Sequence, residues 1–312
     1  MPRTRESVLP VTEGAVAAST MSIRVISRLS GIAPHTLRMW ERRYGFPKPT
    51  RVHNGSRVYL ESDLTTLLLI RSALHAGYRP GEVVEKPAAE LERLLEGTTT
   101  NAPGVGALPT VDEVLHALAS DDVSLLRNAL KQAAAVLGPK RFVEEMAHPA
   151  SVRVGELWVD GKLEVRHEHV FTQCLSRQLH VLLAAYHDSD GGPSVLLATL
   201  PDEPHSLGLE MIAVVIAASH ATPRLLGVET PPEQIVAAAR AYRSDAVGIA
   251  VMPPADLKKV GAQLRWMLTE LPRRVPIWAG GAGAWNLDGD VEGLVIVRDW
   301  AGLDEAIGRL QR

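Results

Sequence analysis

Ser194-Val195-Leu196-Leu197-Ala198-Thr199-Leu200-Pro201-Asp202-Glu203-Pro204-His205-Ser206-Leu207-Gly208 is the stretch that decides how the C-terminal part of this chain is built. Val195 to Leu200 is a short apolar run, the pattern of a strand buried on both faces of a parallel sheet. Pro201, Asp202 and Pro204 end it, and a helical pattern follows from Gly208 through Ser219. In open α/β sheets, ligands bind beyond the carboxyl ends of the strands. The loop there presents Glu203-x-His205-x-x-Gly208. A carboxylate two residues from an imidazole can hold it in one tautomer and leave a neutral Nε2 to ligate a metal. Gly208 lets a bulky ligand approach the helix start. Taken alone, the pattern also fits a surface histidine beside a glutamate.

Downstream, strands and helices alternate. Strands are predicted at Arg224–Val228, Ala246–Val251, Val275–Ala279 and Leu294–Val297, with helices at Pro232–Arg243, Asp256–Leu271 and Leu303–Leu310. Five parallel strands joined by crossovers make a doubly wound sheet. Gly280-Gly281 stands at a strand end, where bare backbone lets a flat ring lie close.

The chain has 312 residues, enough for two or three domains, and its 46% hydrophobic content suffices for real cores. No apolar run reaches the ~20 residues of a membrane helix, and the first twenty residues lack the apolar core of a secretory signal. They read as a disordered tail. One cysteine, Cys174, excludes a disulfide framework and a cysteine-based zinc site. A cytoplasmic protein is expected. The net charge of −3 conceals an asymmetry, because residues 21–80 hold ten Arg or Lys against Glu41, Glu61 and Asp63. That segment carries +7 and leaves −10 for the remainder, a basic module on an acidic body, as nucleic-acid binders show.

Within that module, Ser22 can cap a helix running Ile23 to Leu29, Ser30-Gly31-Ile32 turns, and Pro34 opens a second helix to about Tyr44. Helix, glycine turn, helix is a helix-turn-helix pattern. Leu37 and Trp40 form its inward stripe, while Arg38, Arg42 and Arg43 project. Pro47 to Tyr59 reads as a wing of two short strands around Asn54-Gly55, with Arg51 and Arg57 beside the tip. The runs Ile26-Ser27-Arg28-Leu29-Ser30-Gly31-Ile32, Thr36 to Phe46 and Arg57-Val58-Tyr59 resemble the winged helix-turn-helix of MerR-family transcription regulators. The resemblance covers residues 21 to about 95. It implies that the second helix enters the major groove and that Arg38, Arg42, Arg43, Tyr44, Arg51, Arg57 and Tyr59 hold DNA.

Residues 61–96 read as two further helices broken at Gly77–Gly81, with stripes Leu64, Leu67, Leu68 and Leu91, Leu94, Leu95. Residues 97–110 form a Gly-, Thr-, Asn- and Pro-rich linker. Residues 111–187 are helical throughout, with apolar positions at Val114, Leu115, Leu118, Leu125, Leu126 and Leu130. A third helix there ends in Gly155–Gly161 around Trp158, and a fourth carries His167-Glu168-His169. His167 and His169, two apart on a helix, do not share a face and are not a chelating pair.

Glu203-x-His205-x-x-Gly208 with its strand resembles the cobalamin-binding fold. Trp158 with Glu168-His169 resembles the helical cap over cobalamin in CarH-type photoreceptor regulators and, more distantly, in methionine synthase. The resemblance implies His205 as the lower cobalt ligand and Glu203 as its support. It further implies Trp158 shielding the upper corrin face, Glu168 and His169 near an adenosyl group, and Gly280 and Gly281 against the nucleotide base. Leu226–Pro231 matches the family's second strand and turn. Two positions depart from the pattern. The third strand reads Ala250-Val251-Met252 where the family offers a serine hydroxyl, and Val159 stands where light-responsive members carry a histidine.

The fold expected is multidomain. It comprises a disordered tail (1–20), an all-α winged helix-turn-helix (21–96), a linker (97–110), a four-helix bundle cap (111–187) and a doubly wound five-stranded parallel sheet (188–312). The function expected is a DNA-binding transcriptional regulator, a repressor, controlled by bound cobalamin, with adenosylcobalamin foremost and light sensing possible. Its partners would be double-stranded promoter DNA and further copies of itself, as a dimer or tetramer, with no membrane. Alternatives are a sensor of cobalamin without a light response, a sensor of another tetrapyrrole such as a bilin alone or beside cobalamin, and a cofactor-independent regulator acting by protein contacts. A cobalamin-dependent enzyme would need a substrate barrel or methyl-donor domain, for which the chain has no room.

Overall fold

A computed structural model describes residues 20–51, 57–75, 78–96, 108–186, 192–253 and 255–311. The expected tail up to residue 19, the Asn54-Gly55 wing tip, Gly77 and most of the linker lie outside the described residues, while Thr20, expected in the tail, opens the first strand.

The N-terminal unit opens with β1 (Thr20–Ser22) and α1 (Ile23–Ser30). The Ser22 hydroxyl accepts from the Val25 N–H and caps α1, and Gly31 closes it at φ +72°. α2 (Pro34–Tyr44) starts on proline and stops at Gly45, φ +68°. β2 (Thr50–Arg51) and β3 (Arg57–Leu60) pair antiparallel as the wing. β1 adds a strand that the sequence reading lacked, because its three residues carry no periodicity of their own. It pairs along β3 from Thr20 opposite Leu60 to Ser22 opposite Val58. α3 (Glu61–His75), α4 (Pro80–Val83) and α5 (Ala88–Glu96) follow. One more short helix is present than expected, because Pro80 fits a first helical turn as well as it breaks a helix. Met21, Ile26, Leu37, Trp40, Tyr59, Leu64, Leu67 and Leu91 share one core.

The helical bundle comprises α6 (Val111–Ala119), α7 (Val123–Leu137), α8 (Pro139–Arg141), a π-helical turn (Phe142–Ala147), α9 (His148–Val159) and α10 (Val165–Ala184). Thr110 and Glu113 make a capping box at the start of α6. α8, the π turn and α9 run on without a break, so the bundle has four rods. Leu125, expected inside, is exposed, whereas its neighbour Leu126 takes the inward position.

The C-terminal unit is a five-stranded parallel sheet: β4 (Ser194–Thr199), β5 (Thr222–Gly227), β6 (Ala246–Ala250), β7 (Ile277–Gly280) and β8 (Leu294–Val297). Strand order is β5-β4-β6-β7-β8. The order reverses at β4, which sets a crevice at the carboxyl ends of β4 and β6. α11 (Leu207–Ala218), α12 (Pro232–Ala241), α13 (Leu257–Glu270), a 3-10 turn (Ala282–Asn286) and α14 (Trp300–Leu310) complete it. The bundle rods share a single core with α11 and α14, through residues such as Phe142, Met146, Leu175, Val214 and Leu303. Bundle and sheet are therefore packed as one body. On the other face, α12 and α13 close a second core around Leu196, Ile235, Leu264 and Ile277.

Candidate cobalamin site and DNA-binding face

β4 ends at Thr199, and the chain turns at Asp202, which takes φ +72°. The Thr199 hydroxyl donates to the Glu203 carbonyl at 2.5 Å and accepts from the Glu229 N–H at 2.8 Å, tying the loop to the end of β5. Glu203 is mostly buried, and its two carboxylate oxygens do separate work. Oε1 lies 2.5 Å from His205 Nδ1 and also accepts the His205 N–H at 3.2 Å. Oε2 accepts the Met252 N–H at 2.9 Å, across the topological switch point. With Nδ1 turned to a carboxylate, Nε2 is the ring nitrogen left to face a ligand. The His205 side chain is 70% exposed, so Nε2 is open to a ligand. A second clamp, Lys259 Nζ to Asp202 Oδ2 at 2.5 Å, ties the same loop to α13.

The glycines sort into two kinds. A Cβ on Gly208 would meet nothing within 4 Å, so open space adjoins the start of α11. At Gly281, φ +91°, a Cβ would stand 2.5 Å from the Val251 carbonyl oxygen and 3.2 Å from the Met252 sulfur. Gly281 is therefore required by the packing of β7's end against β6's end. Gly283, not singled out from sequence, has the same duty, with a Cβ 2.9 Å from the Val251 oxygen. Gly280 is looser, 3.7 Å from the Val297 oxygen.

On the bundle, Trp158 and Val159 at the end of α9 are 48% and 77% exposed, a large apolar pair facing away from the core. Glu168 Oε2 lies 2.7 Å from His169 Nδ1, and Glu168 Oε1 accepts from the Thr172 hydroxyl at 2.8 Å. His169 is exposed, whereas His167 is buried with Nδ1 accepting the Glu164 N–H at 2.9 Å. The two rings look opposite ways, as their spacing predicts. The sequence did not reveal Thr199, nor that Met252, noted there for its side chain, would act through its N–H. Their contacts reach 30 and 49 residues along the chain, and no local pattern announces them.

Arg38, Arg42 and Arg43 are exposed on α2, with Arg51 and Arg57 exposed at the wing. Arg57 Nε pairs with Glu41 Oε1 at 3.2 Å and so ties the wing to α2. Arg43 lies over the Tyr44 ring at 5.4 Å. One expectation is corrected. Tyr59, assigned to DNA, is fully buried in the core of the N-terminal unit, in the covered middle of β3, the central strand of its sheet. Burial, with Glu41 nearby, pushes its phenol up.

The family models agree with this division. MerR HTH family regulatory protein matches residues 21–86, and B12 binding domain models match residues 110–183 and 193–300. The HTH-type transcriptional repressor CarH of Myxococcus xanthus is 29% identical over 86% of this chain and 91% of its own length. The repressor CarA of the same organism is 28% identical over 85% and 88%. A solved corrinoid protein, the monomethylamine corrinoid protein of Methanosarcina barkeri, overlaps 63% of this chain and 96% of its own at a TM-score of 0.49 and 15% identity. These full-length relatives are regulators and not enzymes. The chain thus carries a MerR-type helix-turn-helix domain followed by B12-binding domains, and over most of its length it is similar to the CarH and CarA repressors.

Proposed function

We propose that this protein is a transcriptional repressor whose grip on promoter DNA is set by a cobalamin held between the bundle and the carboxyl end of the sheet, with adenosylcobalamin the foremost form. The observation that carries this reading is the Glu203–His205 pair, a carboxylate-oriented imidazole with Nε2 exposed at the switch point. The donor set fits a corrin. Among the described residues no group of three or more His, Cys, Asp or Glu could cage a bare ion. A single imidazole would suit a metal whose remaining nitrogen donors a macrocycle supplies. The open space at Gly208 fits the same bulk.

His205 is assigned as the lower ligand. Glu203 holds its tautomer, and the Met252 N–H and Thr199 hold Glu203 and its loop. Trp158, Glu168 and His169 are assigned to the upper wall, and Gly280 to the floor under the nucleotide base, with Gly281 shaping that floor through β6. When bound, cobalamin would supply a cobalt–ligand bond that light or ligand exchange can alter. The protein's part is to hold one axial nitrogen and to shape the opposite wall. DNA contacts are assigned to Arg38, Arg42, Arg43, Tyr44, Arg51 and Arg57. Oligomer change on cofactor binding belongs to the same proposal. Among the described residues no helix is long and apolar enough to cross a membrane.

The test is the visible spectrum of purified protein loaded with adenosylcobalamin or hydroxocobalamin, wild type beside His205→Ala. An imidazole-ligated spectrum in the wild type and its loss in the variant support the assignment. Identical spectra overturn it.

A further inference from the structure

The N-terminal unit does not hang free of the rest. Ala135 of α7 and Tyr186, just beyond α10, pack into its core. Thr65 Oγ1 on α3 donates to the Val136 carbonyl at 3.1 Å, and Arg28 Nη1 on α1 donates to the Ala184 carbonyl at 3.0 Å. Thr20 Oγ1 on β1 meets His220 Nε2 at 2.6 Å, at the end of α11. At the centre of this contact is Glu61, the first residue of α3. Its Oε1 accepts the Lys140 N–H at 3.3 Å. Gly138, φ +77°, lies against it so closely that a Cβ there would come within 2.6 Å of Glu61 Cγ and overlap the carboxylate.

Lys140 joins all three units. Its N–H holds Glu61 of the N-terminal unit, its backbone belongs to the bundle, and its Nζ reaches both carboxylate oxygens of Asp304 on α14 at 2.7 Å. The nearby cations are already committed. Lys140 Nζ serves Asp304, with Glu144 at 3.9 Å, and Arg141 makes a two-point contact with Glu145 at 2.7 and 3.1 Å. Glu61 is left with a backbone amide in a largely desolvated place.

We propose that Glu61, seated under Gly138 and Lys140, is the latch that fixes the DNA-binding unit on the bundle–sheet body and makes their docking a switchable state. Arg38, Arg42 and Arg43 stay exposed in the docked form, so the latch does not cover the DNA face. It sets where that face points. The proposal goes beyond the cobalamin reading and does not depend on what the body binds.

The chemistry of the seat makes the latch proton-sensitive. Burial, first, raises the Glu61 carboxyl to about 7, and Glu144 pushes the same way. The Lys140 N–H, Arg141 and Lys140 Nζ oppose it. Tyr186, buried in the same contact, is pushed up by burial and then by Glu61, and Asp63 on α3, which accepts the Leu60 N–H, is pushed up by burial. Freed into water, Glu61 returns to the ordinary carboxylate range. The docked form then holds the proton more tightly than the undocked one. Docking is firm below the free value, weakens as pH rises between the two values, and is weakest above about 7. The change in docking constant is on the order of a hundredfold. His220 works the other way, since burial lowers its pKa and acid there opposes docking.

The experiment uses the full chain with spin labels at Glu92→Cys on α5 and Glu233→Cys on α12, both exposed positions; Cys174 is buried. Distance distributions are followed from about pH 5 to about pH 8 in wild type, Glu61→Gln and Gly138→Ala backgrounds. Glutamine keeps the shape and loses the charge. The expected wild type is narrow at low pH and broadens toward neutrality, while Glu61→Gln stays narrow throughout. Gly138→Ala should be broad at every pH, because its Cβ would stand where the Glu61 carboxylate sits. Far-ultraviolet circular dichroism confirms that each variant is folded. A Glu61→Gln profile that tracks the wild type, or a wild-type distribution that does not change with pH, overturns the latch.

Discussion

His205 and Glu203 are two residues apart in one loop, so their pairing was legible from sequence. The rest of the holding geometry was not. Glu203 owes its position to the Met252 N–H, and a main-chain donor has no side-chain signature to read. This division gives unequal predictions. His205→Ala removes an exposed ring, so stability should stay within about 0.5 kcal/mol of wild type. Cobalamin affinity should fall at least tenfold, about 1.4 kcal/mol. Glu203→Gln is different. It leaves one donor, the His205 ring or the Met252 amide, facing an NH2 group, which costs about 1–3 kcal/mol in a buried setting. Chemical denaturation should therefore separate the two variants, with Glu203→Gln the less stable; equal midpoints would remove Glu203 from its structural role. Val159 is simpler. At 77% exposure its side chain is open to solvent, and Val159→His can be made without disturbing the core. If the upper wall is where we assign it, this variant loaded with adenosylcobalamin should gain a second-imidazole absorption signature after illumination. Wild type should lack it.

Helix termini were the best-read elements, because their signals are local. Ser22, Pro34 and Gly45 act where the sequence predicted. The π turn at Phe142–Ala147 was invisible, since its apolar spacing fits an α-helix nearly as well. β1 was missed because a three-residue strand depends on its partner β3 for any identity. Tyr59 shows how element context overrides motif. An aromatic at the wing's end suggests a phosphate contact, yet Tyr59 lies in the covered middle of β3, which is paired on both edges, by β1 and β2. Two predictions follow at this scale. Arg42→Ala combined with Arg43→Ala should abolish the operator gel shift while circular dichroism is unchanged. For the wild type, the plot of log affinity against log salt should fall with a slope of about −0.9 per phosphate contact. Tyr59→Phe should leave operator affinity within about twofold, ~0.4 kcal/mol. A large loss of operator affinity in Tyr59→Phe, with the fold intact, would return that residue to the DNA face.

At the scale of the molecule, composition already separated a basic N-terminal module from an acidic remainder, and the structure gives that separation an energetic form. The N-terminal unit has its own core. The bundle and the α11–α14 face of the sheet share another, so neither can open without exposing the other's apolar surface. Polar contacts among the described residues that dock the two bodies include Thr65 to Val136, Lys140 to Glu61, Arg28 to Ala184 and Thr20 to His220. No sequence pattern marks them, because each joins residues 71 to 200 positions apart. Two cooperative units should then appear in calorimetry. A ligand that binds only the folded bundle–sheet body stabilises it by RT ln(1 + [L]/Kd), about 2.7 kcal/mol at a hundredfold excess over Kd. Saturating cobalamin should raise the transition of that body by several degrees and leave the N-terminal transition nearly in place at about pH 8, above the raised Glu61 value, where docking is weakest. At about pH 5.5, with Glu61 protonated, the two transitions should draw together, because firmer docking makes each body's unfolding cost the other its partner surface. Cobalamin raising the N-terminal transition as strongly as the other at about pH 8 would mean that the whole chain is one cooperative unit, and the two-body account would be wrong.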